Sequence, residues 1–141
     1  MGRTSNKITL EQVININRQM INSFGGIFFE ADQNLLKRGN LEYALEEIDA
    51  TLFGEELHPD LFEKAATLTF KIITGHVFHD GNKRTGLATG QILIMMNGYD
   101  LPLHMIVDEA VSVAEQVATK QITVVDLARW FKKHSAKINP Y

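Results

Sequence analysis

The spacing of apolar side chains along the chain predicts a protein made of α-helices. In five stretches apolar residues recur every three or four positions, the period that places them on one face of a helix. These stretches are 9–24, 41–52, 60–74, 106–118 and 123–134. A sixth stretch, 87–96, is apolar almost all round, and such a helix is usually the buried centre of its domain. We therefore predict an all-α fold, a compact orthogonal bundle of about six helices, with any strand confined to residues 25–39.

Polar residues at the ends of these stretches predict where helices begin. Two pairs have the spacing of helix-capping boxes, Thr9 with Gln12 and Thr123 with Asp126. Asn40 is predicted to cap the second helix. Residues 27–39 show no period, and an unpatterned connection of that length within a compact domain is often functional. We predict a disordered tail at 1–8, a single domain at 9–134 and a frayed end at 135–141.

Composition excludes several classes of function. The chain has 141 residues, a net charge of −3 and no cysteine. It therefore lacks the basic character that sequence-independent nucleic-acid binding needs, and it has no disulfide framework or thiolate metal site. Its longest uninterrupted apolar run, 92–96, is far too short to span a membrane. We predict a cytoplasmic protein that contacts neither nucleic acid directly nor a membrane.

One polar segment lies between the two most apolar helices. Residues 76–86 read His-Val-Phe-His-Asp-Gly-Asn-Lys-Arg-Thr-Gly, and a polar segment in such surroundings is costly unless its side chains have partners. His76 is the side chain suited to act as a general base near neutral pH. Asp80 supplies a carboxylate of the kind that binds a hard cation such as Mg²⁺. Phe78 is predicted to pack beneath the loop and support it.

The end of this segment has the features of an anion site. Gly81 lets the backbone approach a ligand closely, and Asn82, Lys83 and Arg84 begin the next helix. Two cations at the positive end of a helix dipole are unfavourable unless an anion such as phosphate binds there. A base, a metal ligand, an anion cradle and two cations are together the components of phosphoryl or nucleotidyl transfer. The residues therefore predict a site for phosphoryl or nucleotidyl transfer.

Two other interpretations stay open at this point. The adjacent pair His79-Asp80 on a mostly helical chain resembles metal-dependent phosphohydrolases of the HD type. The candidate ligands of such a metal site are His58, His79, Asp80 and either Asp100 or Asp108. That interpretation gives no role to the Gly-Asn-Lys-Arg run. Outside enzymes, the alternative is a binding module that keeps the fold without catalysis, against which the complete set of loop residues argues.

The loop as a whole is similar to the signature of the Doc (death-on-curing) toxins, a branch of the Fic superfamily. The matching residues are His76, Phe78, Asp80, Gly81, Asn82, Lys83, Arg84 and Thr85. The resemblance continues into the stretches 41–45, 55–64 and 97–99, and it covers about residues 9–134. It implies the Fic/Doc fold. Val77 stands where the family more often has proline.

The resemblance implies a protein kinase. AMP-transferring Fic enzymes have glycine at the position of Lys83 and a second arginine at the position of Leu87, which helps to hold the nucleotide phosphates. The residues present here resemble instead the Doc pattern, in which the γ-phosphate of ATP is transferred to a threonine hydroxyl of translation elongation factor Tu and translation stops. A Fic-type AMP-transferase is the alternative.

The resemblance also implies a role for each loop residue. His76 would take the proton from the target hydroxyl, and Asp80 would help to bind Mg²⁺. The phosphate groups of ATP would be held by the remaining polar positions, Gly81, Asn82, Lys83 and Arg84. Structural support of the loop would come from Phe78 and Thr85.

Regulation is implied to come from a second protein. Fic enzymes often inhibit themselves with a helix that reads Ser/Thr-x-x-x-Glu-Gly/Asn, and the nearest stretch here, 51–56, fails at its last position. The implied inhibitor is a separate antitoxin, with a disordered segment that folds as a helix in a groove of the toxin. We expect that groove to involve the N-terminal helix and residues 27–39.

Overall fold

The computed structural model describes residues 6–138, and its main elements there are six α-helices. These are α1 (Leu10–Phe24), α2 (Arg38–Ile48), α3 (Leu61–Thr74), α4 (Asn82–Met96), α5 (Val107–Ala118) and α6 (Val124–His134). Two single-turn 3-10 helices lie at Glu30–Asp32 and Leu103–Met105. The prediction of an all-α fold with about six helices is confirmed. None of the helices within residues 6–138 is long and apolar enough to cross a membrane.

Side chains at the helix starts explain where several helices begin. Both predicted capping boxes are present, Thr9 with Gln12 at α1 and Thr123 with Asp126 at α6. At α3 the cap is Asp60, whose carboxylate accepts two backbone N–H groups of the first turn. The prediction that Asn40 caps α2 is wrong, because α2 begins at Arg38. The amide of Asn40, inside the helix, donates instead to the carbonyl of Gly75 at 2.9 Å.

The strands are short and lie outside the segment predicted for them. Strands β1 (Thr51–Leu52) and β2 (Glu55–Glu56) form an antiparallel hairpin, and β3 (Tyr99–Asp100) pairs antiparallel with β4 (Ala136–Lys137). The prediction that strands are confined to 25–39 is wrong, since that segment contributes only an isolated bridge between Leu35 and Phe78. The hairpin forms because Phe53 and Gly54 both have positive φ, 52° and 80°, as a tight two-residue turn requires.

The domain begins earlier than predicted. Residues 1–8 are predicted to be a disordered tail, and the structure contradicts this prediction for residues 6–8. Ile8 is 5 % exposed and belongs to the core, and Asn6 exchanges two hydrogen bonds with Asn97 at 3.1 and 3.0 Å. Burial of the apolar side chain of Ile8 stabilises the fold, whereas a disordered tail would leave that side chain in water. Residues 1–5 lie outside the described range.

The domain also ends later than predicted. Residues 135–141 are predicted to fray, but 136 and 137 form β4. The N–H of Ile138 then donates to the carbonyl of Gly98 at 2.8 Å. These backbone bonds attach the segment to the residues that follow α4, which corrects the prediction for 135–138. Residues 139–141 lie outside the described range.

Helices α3 and α4 form the centre of the core. Most of α3 is buried, including Leu68 and Ile72, which are fully enclosed. Gly86 of α4 lies so close to α3 that a Cβ there would come within 2.6 Å of Ile73 Cγ1. Because α3 and α4 are consecutive, the segment that joins them sits at one end of this close contact. The core therefore determines where the polar loop lies.

A charged residue is buried in this core. Lys64 on α3 is fully buried, and its Nζ donates to the carbonyl of Ile48. The same nitrogen lies 3.0 Å from Glu56 Oε1 and 3.5 Å from Asp49 Oδ1. Lys64 thereby joins α3 to the end of α2 and to β2, and these partners offset the cost of removing its charge from water.

Lys64→Met is expected to lower the free energy of unfolding by about 3 kcal/mol, because it leaves Glu56 and Asp49 without their buried cation. Lys71→Met is the matched control: Lys71 lies two turns further along α3, its side chain is 42 % exposed, and it bonds Glu47 at 3.3 Å. An exposed pair of this kind contributes about 0–1 kcal/mol. Urea unfolding measures both variants, and equal losses would contradict a stabilising role for the buried lysine.

Candidate functional site

The polar loop joins α3 to α4, and its apolar residues hold it in place. Val77 and Phe78 are buried in the core, whereas the polar side chains of this segment, His76, His79 and Asp80, are exposed. The carbonyl of Val77 accepts two backbone N–H groups from the segment that precedes α2, at 2.8 and 3.0 Å. The loop is therefore anchored from inside while its polar side chains face outward.

His76 is held in a conformation that few residues other than glycine adopt. Its φ is 47°, in the left-handed region, where histidine is more frequent than most residue types. The preceding carbonyl, that of Gly75, is fixed by the amide of Asn40. Among residues 6–138 no side chain bonds the exposed imidazole ring. The ring is thus accessible to a substrate hydroxyl.

Backbone N–H groups hold the carboxylate of Asp80. The N–H of Ile27 donates to Oδ2 at 3.0 Å, and the N–H of Gly81 donates to Oδ1 at 2.8 Å. Each oxygen has a second lone pair that a cation could use. In the described part of the chain no three His, Asp or Glu side chains cluster as metal ligands. Asp80 therefore fits Mg²⁺ that takes its other oxygen ligands from phosphate and water, as this ion commonly does.

The side chain of Asn82 closes the loop. Its Oδ1 accepts the N–H of Phe78, and its Nδ2 donates to the carbonyl of the same residue, both at 2.8 Å. Asn82 can therefore contribute to an anion cradle through its backbone N–H and not through its amide. Gly81, with φ of 79°, precedes the helix, and no side chain caps the first turn of α4. The first N–H groups of α4 are open to an anion.

Lys83 and Arg84 extend from the first turn of α4 toward neighbouring helices. Nζ of Lys83 lies 2.9 Å from Oε2 of Glu115 on α5. The guanidinium of Arg84 lies 4.1 Å above the ring of Phe24 on α1. All four side chains are exposed, and contacts of this kind contribute only about 0–1 kcal/mol each. Both cations can therefore leave their present partners for a stronger one.

A groove of about 510 Å³ begins beside these two cations. We call it the α1–α5 groove, because α1, α4, α5 and the second 3-10 helix line it. Its surface is mostly apolar and includes Met20, Phe24, Leu87, Leu103, Val107 and Val111. A mostly apolar groove of this volume, with a few charged groups at one end, is typical of a binding site.

His79 bonds an aspartate on the neighbouring segment. Its Nε2 lies 2.7 Å from Oδ2 of Asp32, and this hydrogen bond holds the pKa of the Asp32 carboxyl below its usual value. The ring of Phe29 packs edge-on against the imidazole at 5.0 Å. His58 lies 4.0 Å from Glu47 on α2. Within residues 6–138 these histidines do not join a set of metal ligands, so the site required by the HD-type interpretation is not assembled.

Two buried asparagines contact the loop, and neither is among the site residues predicted from the sequence. Asn17 lies on α1 and Asn34 lies between α1 and α2; both are fully buried. Asn17 carries a signal that could have been noticed, because it stands between Val13 and Ile21 at helical spacing on the buried face of α1. A polar residue in such a position needs partners. Asn34 lies in the unpatterned segment, where the sequence carries no such signal.

Comparison with known proteins finds a family and two relatives that match most of the chain. Residues 7–94 match the model of the Fic/DOC family. The chain is 30 % identical over 113 residues to Toxin Doc of Mycolicibacterium smegmatis, a match that covers 80 % of this chain and 87 % of that protein. It is also 30 % identical over 124 residues to Protein kinase doc of Escherichia phage P1, covering 86 % and 89 %.

The class of this protein is defined by two features: a core of six helices, and a polar segment from His76 to Thr85 at the junction of the two central helices. The chain belongs to the Fic/DOC family. The resemblance identified from residues 76–85 is thereby confirmed.

Gly26 limits how Asp80 is held. A Cβ at position 26 would lie 2.7 Å from Oδ2 of Asp80. Gly26→Ala is expected to displace the carboxylate and to speed hydrogen exchange of the Ile27 N–H at least about tenfold, because a hydrogen bond to a charged group contributes about 1.5–3 kcal/mol.

Gly25→Ala is the matched control for backbone strain. Both glycines have positive φ, 124° at Gly26 and 94° at Gly25, but nothing lies within 4 Å of a Cβ at position 25. NMR measurement of amide exchange compares the two variants. An equal rise at Ile27 in both would show that strain, rather than contact with Asp80, is responsible.

Proposed function

We propose that the chain is a Doc-type toxin and a protein kinase. It transfers the γ-phosphate of ATP to a threonine hydroxyl of translation elongation factor Tu and so stops translation in the cytoplasm. Relatives named Toxin Doc and Protein kinase doc support the toxin and kinase parts of this proposal. The threonine and the elongation factor are proposed from the resemblance of the loop.

The observation that carries the proposal is the content of one short stretch, residues 76–84. It presents an accessible base at His76, a carboxylate with free lone pairs at Asp80, and a helix N-terminus without a side-chain cap. In phosphoryl transfer the protein takes little part in covalent chemistry. Catalysis depends on positioning the reacting groups and on stabilising the charge of the transition state. The stretch supplies both of these together with a base.

In this mechanism His76 accepts the proton of the target hydroxyl as the hydroxyl oxygen attacks the γ-phosphorus. The bond between that phosphorus and the oxygen that bridges it to the β-phosphate breaks, and ADP leaves. The open N–H groups of α4, with Lys83 and Arg84, bind phosphate oxygens and stabilise the charge that develops on them. Lys83 leaves Glu115 to do so, which costs little because the pair is exposed. Asp80 would hold Mg²⁺, which neutralises phosphate charge when bound.

Leu87 favours phosphate transfer over AMP transfer. AMP-transferring Fic enzymes have a second arginine at this position, and here the residue is a buried leucine that lines the apolar groove. Lys83 stands where those enzymes have glycine, so the charges of this loop follow the Doc pattern. A Fic-type AMP-transferase is the second candidate, because the rest of the loop is shared.

Intact-mass spectrometry of purified elongation factor Tu, incubated with the chain, ATP and Mg²⁺, tests the proposal. We expect one added phosphate. His76→Ala should slow its appearance by about 10²–10⁴-fold because the general base is lost. His79→Ala is the matched control, since it makes the same change on the same loop in a ring that bonds Asp32, and it should retain most of the rate.

The other outcomes each point to a different function. An added AMP would identify the chain as an AMP-transferase. An unmodified factor with the wild-type chain would exclude it as the target. Hydrolysis of a phosphoester that is lost in His58→Ala and retained in Lys83→Ala would favour the HD-type phosphohydrolase.

The α1–α5 groove suits the regulatory part of the proposal, in which an amphipathic helix of an antitoxin binds there. Its apolar lining matches the apolar face of such a helix. Lys83 and Arg84 at one end favour an acidic residue at the corresponding end of the partner. The antitoxin groove expected from the sequence involves the N-terminal helix and residues 27–39. Residues 27–39 do not line the α1–α5 groove, so only the N-terminal helix is part of the binding site proposed here. A helix in the groove would cover both cations and keep ATP phosphates from them.

Val111→Glu tests this docking. Val111 is 57 % exposed and lines the groove, whereas Val125 is 50 % exposed on α6 and does not. Genomic fragments selected for relief of growth inhibition by the wild-type chain supply the antitoxin. The Val111→Glu chain should stay toxic and escape it, because a carboxylate buried in an apolar interface lacks a partner. Val125→Glu should be neutralised, and neutralisation of both variants would exclude the groove.

A further inference from the structure

A buried amide in the middle of α1 joins three separate parts of the site. Nδ2 of Asn17 donates to the carbonyl of Asp80 at 2.9 Å and to Oγ1 of Thr85 at 3.0 Å. Its Oδ1 accepts from Nδ2 of Asn34 at 2.9 Å. We propose that Asn17 is a positioning residue for the phosphotransfer loop, an inference that rests on the function proposed above.

The partners of Asn17 leave one orientation for its amide. Both of its N–H groups face acceptor oxygens, and its oxygen faces a donor. A rotated amide would turn its oxygen toward the carbonyl of Asp80, which cannot donate. Asn34 is fixed in turn, because its Oδ1 accepts the N–H of Phe29 at 3.1 Å. A fully paired buried amide of this kind rigidifies its surroundings.

Asn17 holds the peptide that lies between the metal ligand and the anion site. The carbonyl of Asp80 belongs to the peptide that leads into Gly81, the residue before α4. Thr85 lies one turn into the same helix. Two hydrogen bonds from one amide therefore fix the open end of α4 from both sides. The contact is close, since a Cβ on Gly81 would lie 3.1 Å from Nδ2 of Asn17.

Asn34 extends this support to the residue before Asp80. It has a left-handed backbone, with φ of 63°, and its carbonyl accepts the N–H of His79 at 2.9 Å. The loop is thereby held on both sides of Asp80, by Asn34 before it and by Asn17 after it. Misplacing reacting groups by about 1 Å can slow a reaction about 10²-fold. The proposed transfer therefore depends on these two amides.

Packing alone does not explain an asparagine at this position. The neighbours of Asn17 on the buried face of α1 are apolar, and they include Val13, Ile14 and Ile21. An apolar side chain there would need no hydrogen-bond partners, whereas an amide needs them all. The amide therefore favours the one conformation in which the loop and the start of α4 meet it.

Thr85→Val and Thr89→Val form a matched pair that tests the proposal. Both threonines are fully buried on α4, one turn apart. The hydroxyl of Thr85 accepts from Asn17, whereas that of Thr89 has no partner among residues 6–138. We expect kcat to fall about tenfold in Thr85→Val while KM for ATP changes less than about threefold, because loop placement acts mainly on the transition state. Thr89→Val should keep the wild-type values.

Asn17→Ala removes the hydrogen bonds to Asp80 and Thr85 and the one accepted from Asn34. It is expected to lower kcat by about 10²-fold. Hydrogen exchange of two bonded backbone N–H groups gives a readout that does not need activity: that of Gly81, which donates to Oδ1 of Asp80 at 2.8 Å, and that of position 85, which donates to the carbonyl of Gly81 at 2.9 Å. Exchange there should accelerate in Asn17→Ala and Thr85→Val and stay unchanged in Thr89→Val. If Asn17→Ala does not fold, the comparison of the two threonine variants decides alone.

Equal kcat and equal exchange in Thr85→Val and Thr89→Val would overturn the proposal. Faster exchange of the N–H groups of residues 81 and 85 with an unchanged kcat would also overturn it, because the loop would then move without effect on the reaction. A wild-type chain that transfers no phosphate would defeat the proposed function instead. In that case the exchange comparison still decides whether Asn17 positions the loop.

Discussion

Backbone hydrogen bonding at the junction of α3 and α4 is the constraint on which the site depends. These helices are the most buried of the fold, and a segment between them cannot leave N–H and C=O groups unpaired in apolar surroundings. Distant parts of the chain provide the partners: the segment before α2 pairs Val77, Asn82 pairs Phe78, and Asn17 pairs the carbonyl of Asp80. With the backbone satisfied from inside, the polar side chains are left to face outward.

A comparison of Lys64 with Lys83 shows that burial determines whether a lysine can exchange its ion-pair partners. Lys64 is enclosed, and its partners cannot be exchanged without leaving charges unpaired in the core. Lys83 makes a similar contact with Glu115 at the surface, where water screens both charges. A phosphate bound at α4, as the proposed function requires, would compete with this weak contact and with the stacking of Arg84 on Phe24. The first lysine stabilises the fold, and the second is free to change partners.

Local chemistry is easier to predict from this sequence than contact between distant residues. The apolar period indicates α3, the nearly continuous apolar stretch indicates α4, and the spacing of Thr9 and Gln12 indicates the start of α1. Each of these signals lies within a few neighbouring residues. The amide of Asn82 can bind a ligand or a backbone group four residues away, and residue type does not distinguish these. Asn17 meets Asp80 across 63 positions, a separation at which no spacing pattern operates. The hairpin depends on a left-handed backbone conformation at Phe53. An aromatic residue rarely adopts that conformation.

The first and last described residues meet at the end of α4 opposite the loop. Asn6 bonds Asn97, and β4 pairs with β3 directly after the helix. Since α4 has 15 residues, about 22 Å of helix lies between this junction and the loop. A circularly permuted chain could be joined at the junction and opened at the exposed turn of Phe53. The order of the segments could thus be changed while the residues proposed to do the chemistry keep their neighbours.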